Sequence, residues 1–451
     1  MSEPLIVSVS GLRGVVGAAL TPPVAARYAA AFAATLPPGP IVVGRDGREH
    51  GPLLLDAIVA ALVAGGRDVL DCGIAATPTV GIAVADAGAA GGIQVSASHN
   101  PARYNGMKLF SPAGRVLTAA AGAAVRERFE APEDHAATSP SRGGRNVIDA
   151  TASHVARVLD RVDVAAIRRR GVRVWIDCCH GAGSRVAVPL LAALGCTVVM
   201  EGGEPDGRFT HPPEPVAANL AALLPRIAAA NADVGFILDP DADRLAIADA
   251  SGRWLGEEAT LALAVETVLA RTPGPVVVNC STSAMTAAIA ARHGVPCLTT
   301  PVGEANVVAG MLDAGAVIGG EGNGGVIDPR VVLVRDAAVG MALVLERIAA
   351  GATVAELAAG LPQLVMVKET VDLPAAPAGQ HGLATAAERL VAAFPGAMAS
   401  HLDGLRLDWD GGWLLVRASN TEPIVRLVAE AASVTAAADA IARARHAIAD
   451  G

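Results

Sequence analysis

The sequence predicts an α/β protein with three similar mixed-sheet domains, followed by a smaller α+β domain at the C-terminus. Three observations support this fold class: one strand–loop–helix–strand pattern occurs three times, polar breaks separate the copies, and the last part of the chain differs in character. At 451 residues the chain is longer than one core can serve, and its hydrophobic content of 52% can supply several cores.

The recurring pattern consists of an apolar strand, a short polar loop, an Ala/Leu-rich helix, a glycine and a second strand. Its helices are predicted over residues 53–64, 186–194 and 285–293. Near-continuous apolar strands that alternate with helices are typical of parallel or mixed sheets covered on both faces. Three copies therefore predict three related α/β domains.

The domain limits follow from composition. Residues 131–145 are polar and rich in Pro, Ser and Gly, which is typical of a linker, and further breaks lie near residues 251 and 361. The predicted domains are residues 1–143, 144–250, 251–362 and 363–451.

The last domain has a different pattern. Residues 365–373 are strand-like, residues 383–394 are helical, and residues 405–407 and 413–416 form a predicted hairpin across a short Asp-Gly-Gly turn. An Ala-rich helix is predicted from Ala432 onward. This order indicates a small α+β unit.

Composition also excludes several classes of function. The net charge of −9 and the aromatic content of 3% argue against nucleic acid as a partner. No uncharged apolar stretch reaches the ~20 residues that a membrane-spanning helix needs, and no signal peptide is recognisable at the N-terminus. The six cysteines lack metal-ligand spacing, so reduced thiols in a cytoplasmic protein are expected.

Three carboxylates follow the apolar run 234–238 at alternate positions. Asp239, Asp241 and Asp243 point to one side of an extended backbone, where they repel one another unless a cation neutralises them. All-oxygen ligation suits Mg²⁺. An EF-hand is excluded because Arg244 occupies the place of its glycine and Ala250 that of its glutamate, whereas a solvated acidic turn remains an alternative.

A second polar segment, Ser-Ala-Ser-His-Asn-Pro at residues 96–101, follows an apolar strand. α/β sheets bind their ligands at such strand ends. Ser98 is a candidate nucleophile, and His99 and Lys108 could handle its proton or stabilise anionic oxygens. From these residues alone, a helix N-cap ahead of proline is an equal alternative.

Two further loops carry polar groups suited to a ligand. In residues 417–426 two arginines bracket a Ser-Asn-Thr turn, which can offer forked donors and hydroxyls to one oxyanion, although a turn with a surface ion pair is the alternative. Residues 319–325 contain five glycines, and there Glu321 and Asn323 suit sugar hydroxyls; a plain flexible loop is the alternative. Arg13 and the run 44–48 add basic groups near strand ends.

Together these segments resemble the α-D-phosphohexomutase family, in whose order they occur along the whole chain. The family's phosphoserine loop is similar to residues 96–101, its magnesium loop to 239–244, its sugar-binding loop to 320–326 and its phosphate-binding loop to 417–426. The resemblance implies three mixed α/β domains and a fourth α+β domain around a central cleft.

The resemblance also implies a role for each candidate residue. It implies that Ser98 carries a phosphoryl group and that one Mg²⁺ per chain is bound by Ser98, Asp239, Asp241 and Asp243. The residues expected to act in phosphoryl transfer, charge stabilisation or proton transfer are Arg13, Ser98, His99, Lys108 and Arg244. The residues expected to bind the sugar or the non-reacting phosphate are Glu321, Asn323, Arg417, Ser419, Asn420, Thr421 and Arg426.

The implied reaction interconverts hexose 6-phosphate and hexose 1-phosphate through a hexose 1,6-bisphosphate, which also serves as activator. Family members that act on glucosamine, glucose or mannose phosphates commonly carry Ser and His where this chain has Asn323 and Gly325. Its Gly-Glu-Gly-Asn-Gly-Gly sequence resembles phosphoglucosamine mutases, with phosphoglucomutase/phosphomannomutase as the alternative. A sugar phosphatase and a non-catalytic binding protein are the other hypotheses. A monomer or homodimer is expected.

Overall fold

The computed structural model describes residues 4–8, 11–131, 142–372, 379–418 and 424–449. Within these residues the strands form four sheets, of which three mix parallel and antiparallel strands and the fourth is antiparallel. The predicted fold class is confirmed. In the same residues no single helix is long and apolar enough to cross a membrane, although one pair bent by 100°, Ala337–Ala349 with Val354–Gly360, passes by length and composition.

The first sheet has seven strands in the order β1-β2-β6-β5-β3-β4-β7. Strands β3, β4, β5 and β7 run parallel, and β1, β2 and β6 are antiparallel to their neighbours. The elements in chain order are β1 (Ile6–Ser8), β2 (Gly11–Val15), α1 (Pro22–Ala33), β3 (Ile41–Arg45), α2 (Gly51–Ala64), β4 (Val69–Ile74), α3 (Thr77–Asp86), β5 (Gly91–Val95), β6 (Tyr104–Phe110), α4 (Ala119–Glu130) and β7 (Arg145–Val147).

Strand β7 differs from the sequence-based expectation. The sequence places Arg145 in the linker and ends the first domain at residue 143, but Arg145 begins a strand that pairs with β4, so the first sheet extends past that boundary. Arg145 donates to the Asp71 carboxylate on β4, with 2.6 Å between Nη2 and Oδ2. The cross-strand ion pair and the backbone bonds hold this short edge strand in place.

The second and third sheets have four strands each, in the orders β11-β10-β8-β9 and β13-β12-β14-β15. The elements of the second unit are α5 (Thr151–Leu159), α6 (Val164–Arg170), β8 (Arg173–Asp177), α7 (Gly183–Ala193), β9 (Thr197–Glu201), α8 (Ala217–Leu220), α9 (Leu224–Ala229), β10 (Val234–Leu238) and β11 (Leu245–Asp249). Those of the third are α10 (Ala259–Leu269), β12 (Val276–Asn279), α11 (Ala284–Arg292), β13 (Cys297–Thr300), α12 (Glu304–Ala314), β14 (Ile318–Glu321), β15 (Gly325–Ile327), α13 (Ala337–Ala349) and α14 (Val354–Gly360).

The predicted helices of the three copies are confirmed as α2, α7 and α11. Each begins one to three residues before the predicted start. At α11 the Ser283 side chain accepts the Met285 backbone N–H at 3.1 Å. Because such an N-cap satisfies a donor that the helix itself leaves open, the first turn can form upstream of the apolar residues.

One shared feature of the three mixed sheets positions the site. In each sheet a parallel strand is followed by a loop and then by an antiparallel partner, in the pairs β5–β6, β10–β11 and β14–β15. We call the three connections the serine loop (residues 96–103), the aspartate loop (residues 239–244) and the glycine-rich loop (residues 322–324). The repeated topology places all three at equivalent sheet positions.

The fourth sheet has the order β16-β20-β19-β18-β17. Its domain contains β16 (Val365–Asp372), α15 (Gly379–Ala393), β17 (Met398–Ser400), β18 (Leu405–Trp409), β19 (Gly412–Ala418), β20 (Ile424–Ala431) and α16 (Val434–Ala449). The predicted hairpin is β18–β19, with Leu405 opposite Val416. The two helices pack on the sheet through an apolar cluster that includes Leu390, Leu414 and Ile441.

The first three domains share one continuous apolar core, formed where α3 meets α5 and where α13 meets the second domain. A polar chain crosses this core. His154 of α5 contacts Thr79 Oγ1 at 2.8 Å through Nδ1 and Asp336 Oδ2 at 2.7 Å through Nε2, and all three side chains are buried. This chain joins one residue from each of the three domains.

Candidate active site

The serine and aspartate loops meet directly. Ser98 Oγ donates a hydrogen bond to Asp239 Oδ2 at 2.9 Å, although 141 residues separate the two in sequence. Both side chains are almost completely buried. The two strongest sequence-based candidates therefore belong to one site.

The serine loop holds Ser98 in an uncommon backbone conformation, with φ at +49°. A non-glycine residue in this left-handed region costs roughly 1–2 kcal/mol, so the surrounding structure must hold it there. The Ser98 N–H donates to Ser96 Oγ at 2.9 Å, and Ser96 in turn donates to Asp46 Oδ2 at 2.8 Å. The helix N-cap interpretation is wrong, because residue 98 precedes a strand and not a helix.

Arg48 fixes the outer part of this loop. Its guanidinium donates to four backbone carbonyls, at 2.6 Å to Ser98 and Asn100 and at 2.9 Å to Pro101 and Tyr104. Its Nε bonds to Asp46, and the side chain is 1% exposed. A planar donor with several N–H groups is suited to this arrangement, which a lysine cannot reproduce.

The aspartate loop forms a buried cluster of three carboxylates. One oxygen each from Asp239, Asp241 and Asp243 lies within 4.8 Å of the others, and all three residues are 0% exposed. Asp239 Oδ1 accepts the backbone N–H groups of Asp243 and Arg244 at 3.1 Å, which explains the tight turn. Burial and the two neighbouring aspartates raise the pKa of Asp239 well above its ordinary value.

The donor set fits a divalent cation. Asp241 Oδ1 and Asp243 Oδ1 are buried without a hydrogen-bond partner among the described residues. A buried carboxylate oxygen without a donor is unfavourable unless a cation completes its environment. Oxygen ligands of this kind suit Mg²⁺.

Two cations already balance part of this charge. Lys108 Nζ donates to Asp241 Oδ2 at 2.5 Å and to Asp243 Oδ2 at 2.7 Å, and Arg335 Nη2 donates to the same Asp243 oxygen at 2.7 Å. Although burial opposes the change, Asp241 and Asp243 raise the pKa of Lys108 above its ordinary value. Burial likewise opposes ionisation of Asp243, but Arg335 and Lys108 lower its pKa.

The first two domains hold the aspartate loop from both sides. Thr77, at the start of α3, donates to the Asp241 carboxylate through its hydroxyl and to the Asp241 carbonyl through its N–H. On the other side the Ala182 N–H donates to the Pro240 carbonyl at 2.7 Å. The cluster therefore lies at a domain junction.

The other predicted catalytic residues contact the serine loop or the aspartate loop. Arg13 donates to Asn100 Oδ1 at 2.7 Å within the serine loop, and Arg244 Nε lies 3.9 Å from Asp243 Oδ1. His99 Nδ1 lies 3.3 Å from Ser98 Oγ. Burial, Arg244 and Arg13 lower the pKa of His99 to about 2, so its ring is neutral. The ring can therefore exchange a hydrogen bond with Ser98 but carries no charge.

The glycine-rich loop bonds to the residue that follows the aspartate loop, and Glu321, which precedes the glycine-rich loop, is linked to the aspartate loop through Arg335. The Leu245 N–H donates to the Gly324 carbonyl at 3.1 Å. Glu321 is buried and accepts from Asn279 Nδ2 at 2.9 Å and Arg335 Nη1 at 2.5 Å. Although burial opposes the shift, Arg335 and Asn279 lower the pKa of Glu321. Asn323 Oδ1 is buried without a hydrogen-bond partner among the described residues.

The fourth domain contributes two arginines opposite each other. Arg417 on β19 pairs with Arg426 on β20, and Arg417 Nε donates to Asp403 Oδ1 at 2.9 Å. Like charges at directly opposed positions are unfavourable unless an anion compensates them. The predicted Ser419, Asn420 and Thr421 lie outside the described residues. Within the described part of the chain, neither arginine hydrogen-bonds to the other three loops.

Sequence reasoning missed two residues of the site. Arg335 was not singled out, and Arg48 was noted only within a basic run. A weak signal was present for Arg335, because Arg335-Asp336 is a charged pair between an apolar run and the Ala-rich helix α13. The contacts of Arg335 with carboxylates and those of Arg48 with carbonyls span 14 to 92 positions, so local spacing does not reveal them.

Comparison with known proteins identifies a family that matches all four domains. The chain matches the domain family described as phosphoglucomutase/phosphomannomutase, alpha/beta/alpha domain I, over residues 5–136, domain II over 152–252, domain III over 257–365 and the C-terminal domain over 383–447.

Several known proteins are similar to this chain over nearly its full length. A phosphoglucomutase/phosphomannomutase of Thermococcus kodakarensis is 37% identical over 94% of both chains. A probable phosphoglucosamine mutase of Methanopyrus kandleri is 35% identical over 94% of this chain and 93% of its own. The crystal structure of a phosphoglucomutase/phosphomannomutase family protein from Burkholderia thailandensis has a TM-score of 0.85 at 29% identity, covering 99% of this chain and 98% of its own.

Proposed function

The chain belongs to the phosphoglucomutase/phosphomannomutase family, and from this premise we propose that it interconverts hexose 6-phosphate and hexose 1-phosphate through phosphorylated Ser98. Family membership makes the chain a phosphosugar mutase, an isomerase that moves a phosphoryl group within a sugar phosphate. The observation that carries the covalent mechanism is the Ser98 Oγ–Asp239 Oδ2 hydrogen bond beside two unpartnered carboxylate oxygens. This contact supports the proposal, because a serine nucleophile would then lie next to the proposed cation site.

In the proposed first step, the phosphoryl group moves from phospho-Ser98 to a sugar hydroxyl. The P–Oγ bond breaks, a bond from phosphorus to the sugar oxygen forms, and the proton of the sugar hydroxyl ends on the released Ser98 Oγ. The hexose bisphosphate then turns round, and Ser98 takes back the other phosphoryl group. Asp239, Asp241 and Asp243 would hold Mg²⁺, which when bound offsets charge on phosphoryl oxygens.

The chain's own residues orient and stabilise the groups that react. Lys108 and Arg244 place positive charge beside the aspartates, and Arg13 places a guanidinium at the serine loop. These groups suit the negative charge of a transferring phosphoryl group. Arg417 and Arg426 would hold the phosphate that does not react, together with the predicted Ser419, Asn420 and Thr421. Because a guanidinium can bind the non-reacting phosphate whether it is attached to C1 or to C6 of the sugar, one site can serve both half-reactions.

We propose glucosamine phosphate as the first candidate substrate. The unpartnered Asn323 Oδ1 can accept a hydrogen bond from an amino group or a hydroxyl, and the relative from Methanopyrus kandleri carries the name phosphoglucosamine mutase. Glucose and mannose phosphates are the second candidates, which the more similar Thermococcus kodakarensis relative favours. The monomer or homodimer state stays a prediction.

Two measurements test the proposed function: the intact mass of the protein and its activity on different sugar phosphates. Freshly purified protein, or protein treated with glucose 1,6-bisphosphate, is expected to show one phosphate by intact mass, located at Ser98 by peptide mapping. Activity is then compared on glucosamine 6-phosphate, glucose 1-phosphate and mannose 1-phosphate with Mg²⁺. Full activity in protein that never bears phosphate contradicts the covalent mechanism. Continuous release of inorganic phosphate indicates a phosphatase, and a clear preference for mannose 1-phosphate overturns the substrate order.

Replacing Arg48 by lysine is expected to lower kcat by about 100-fold, because a misplaced nucleophile costs roughly that much. Lysine keeps the charge but cannot donate to four carbonyls at once. The Mg²⁺-induced rise in melting temperature should stay, since Arg48 touches none of the three clustered aspartates. Arg208→Lys, an exposed position, serves as the control. A wild-type kcat in Arg48→Lys would show that the clamp is dispensable.

A further inference from the structure

Arg335 lies between loops of the second and third domains. Its Nη2 donates to Asp243 Oδ2 at 2.7 Å, its Nη1 donates to Glu321 Oε2 at 2.5 Å, and its Nε lies 3.3 Å from Glu304 Oε2. The side chain is 9% exposed. One guanidinium thus contacts the aspartate loop, the residue before the glycine-rich loop and the start of α12.

The backbone around Arg335 connects the same segments. The Arg335 N–H donates to Glu304 Oε1 at 2.9 Å, the Asp336 N–H to the Val326 carbonyl at 2.8 Å, and the Ala337 N–H to the Ala242 carbonyl at 3.2 Å. Asp336 is also the end of the buried chain through His154. Hydrogen bonds to three other segments therefore fix the backbone that carries Arg335, and this limits the positions that its guanidinium can adopt.

Gly325 lies directly against the Arg335 side chain. A Cβ added at Gly325 would lie 2.3 Å from Arg335 Cδ and 3.0 Å from Arg335 Cγ, and the next neighbour, Asn323 Oδ1, would be 3.1 Å away. The backbone at Gly325 does not have a positive φ. Alanine is therefore excluded there by the arginine and not by conformation, and the arginine cannot easily yield because its far end is held by carboxylates.

From these contacts we propose that Arg335 is a positioning residue that couples the aspartate loop to the glycine-rich loop, and that Gly325 is small because the Arg335 side chain occupies the space beside it. The role in turnover rests on the proposed mutase function. The coupling means that one guanidinium orients two carboxylates, that of Asp243 at the cation site and that of Glu321 beside the glycine-rich loop. Displacing that donor should disturb both together.

The test is a double-mutant cycle with Arg335→Ala and Gly325→Ala. Each single variant is expected to lower kcat/KM by about 100-fold, the cost of a small misplacement of reacting groups. The double variant is expected to be no more than about threefold below Arg335→Ala, because removing the arginine leaves room for the added methyl group. The proposal would be overturned if the loss of kcat/KM in the double variant equalled the product of the two single losses. It would also be overturned if Gly325→Ala had the wild-type kcat/KM.

A readout without turnover separates this proposal from the proposed function. Mn²⁺ titration followed by electron paramagnetic resonance should show weaker binding in Arg335→Ala and in Gly325→Ala, by about tenfold or more, with no further weakening in the double variant. Arg335→Lys should restore part of the Mn²⁺ affinity but leave KM for the sugar phosphate raised, since one ammonium cannot serve Asp243 and Glu321 as a fork does. Unchanged Mn²⁺ binding in both single variants would contradict the coupling.

Matched controls and folding checks complete the design. Gly360→Ala adds a methyl group where nothing lies within 4 Å, and Arg253→Ala removes an exposed arginine from a surface ion pair; both should behave as wild type. If Arg335→Ala does not fold, Gly325→Ala and Arg335→Lys still decide by Mn²⁺ affinity. If the wild-type protein had no mutase activity, the proposed function would be wrong. The Mn²⁺ affinities of the variants would still test the coupling through Arg335.

Discussion

Ser98→Ala is expected to abolish turnover, with kcat reduced by about 10⁴-fold or more, the scale seen when a covalent nucleophile is removed. Alanine lacks the Oγ that would carry the phosphoryl group and that donates to Asp239. The same variant should never gain phosphate from glucose 1,6-bisphosphate. Both effects are measured on one preparation, by a coupled assay and by intact mass.

The Ser98→Ala protein should fold, so the result can be interpreted. The bond from the residue 98 N–H to Ser96 Oγ and the bonds from Arg48 do not involve the Ser98 hydroxyl. Ser153→Ala is the matched control, because its hydroxyl bonds to Asp86 at an exposed site. Residual turnover near the wild-type rate, or phosphate that maps to another residue, would exclude Ser98 as the phosphoryl carrier.

Asp241→Asn is expected to abolish the Mg²⁺-induced rise in melting temperature and to lower kcat by about 10²–10³-fold, as when one electrostatic contact to a transition state is lost. Asparagine keeps the shape of the side chain and an oxygen that can accept the bond from Thr77. It removes the charge of a group whose Oδ1 has no protein partner in the described residues. The change therefore removes one negative charge from the cation site and from the ion pair with Lys108, while the shape of the side chain stays the same.

The measurement compares melting temperatures with excess Mg²⁺ and with a chelator. A ligand that binds only the folded state at about 100 times its Kd stabilises by about 2.7 kcal/mol, which such a comparison detects. Wild type and the exposed control Asp313→Asn should both lose this stabilisation in chelator, whereas Asp241→Asn should melt alike in both conditions. An undiminished Mg²⁺ response in Asp241→Asn would mean that the cluster does not hold the metal.

Much of the fold could be predicted from local sequence. Apolar runs that end in polar loops located β5 and β10, whereas β14 lies in a segment whose many glycines indicated only a loop. The alternation of Asp239, Asp241 and Asp243 sufficed to predict a carboxylate cluster, since strand geometry alone puts them on one side. The short strand β7 was missed because its three residues are exposed and follow a polar segment, so no apolar pattern marks it.

The candidate site was predictable only in part, for a physical reason. Ser98 and Asp239 were each recognised by their own neighbours, but their hydrogen bond depends on how two sheets pack. Arg335 and Arg48 act through contacts with distant carboxylates and carbonyls, which no local spacing encodes. The lowered pKa of His99 also arises from folding, which buries the ring and brings Arg244 and Arg13 close to it. Contacts between residues of different domains could therefore be identified only from the structure.

The contact between Gly325 and Arg335 has a consequence for how these two positions vary across evolution. A side chain at the first and an arginine at the second cannot both occupy the same space, since the added Cβ would lie 2.3 Å from the arginine Cδ. Related genes are therefore expected to exchange the two positions as a pair, passing from glycine with arginine to a larger residue with a smaller partner. A mutation at only one of them leaves either a cavity or a clash. The residues at these two positions are thus a compact marker for subdividing the family by the packing beside the glycine-rich loop.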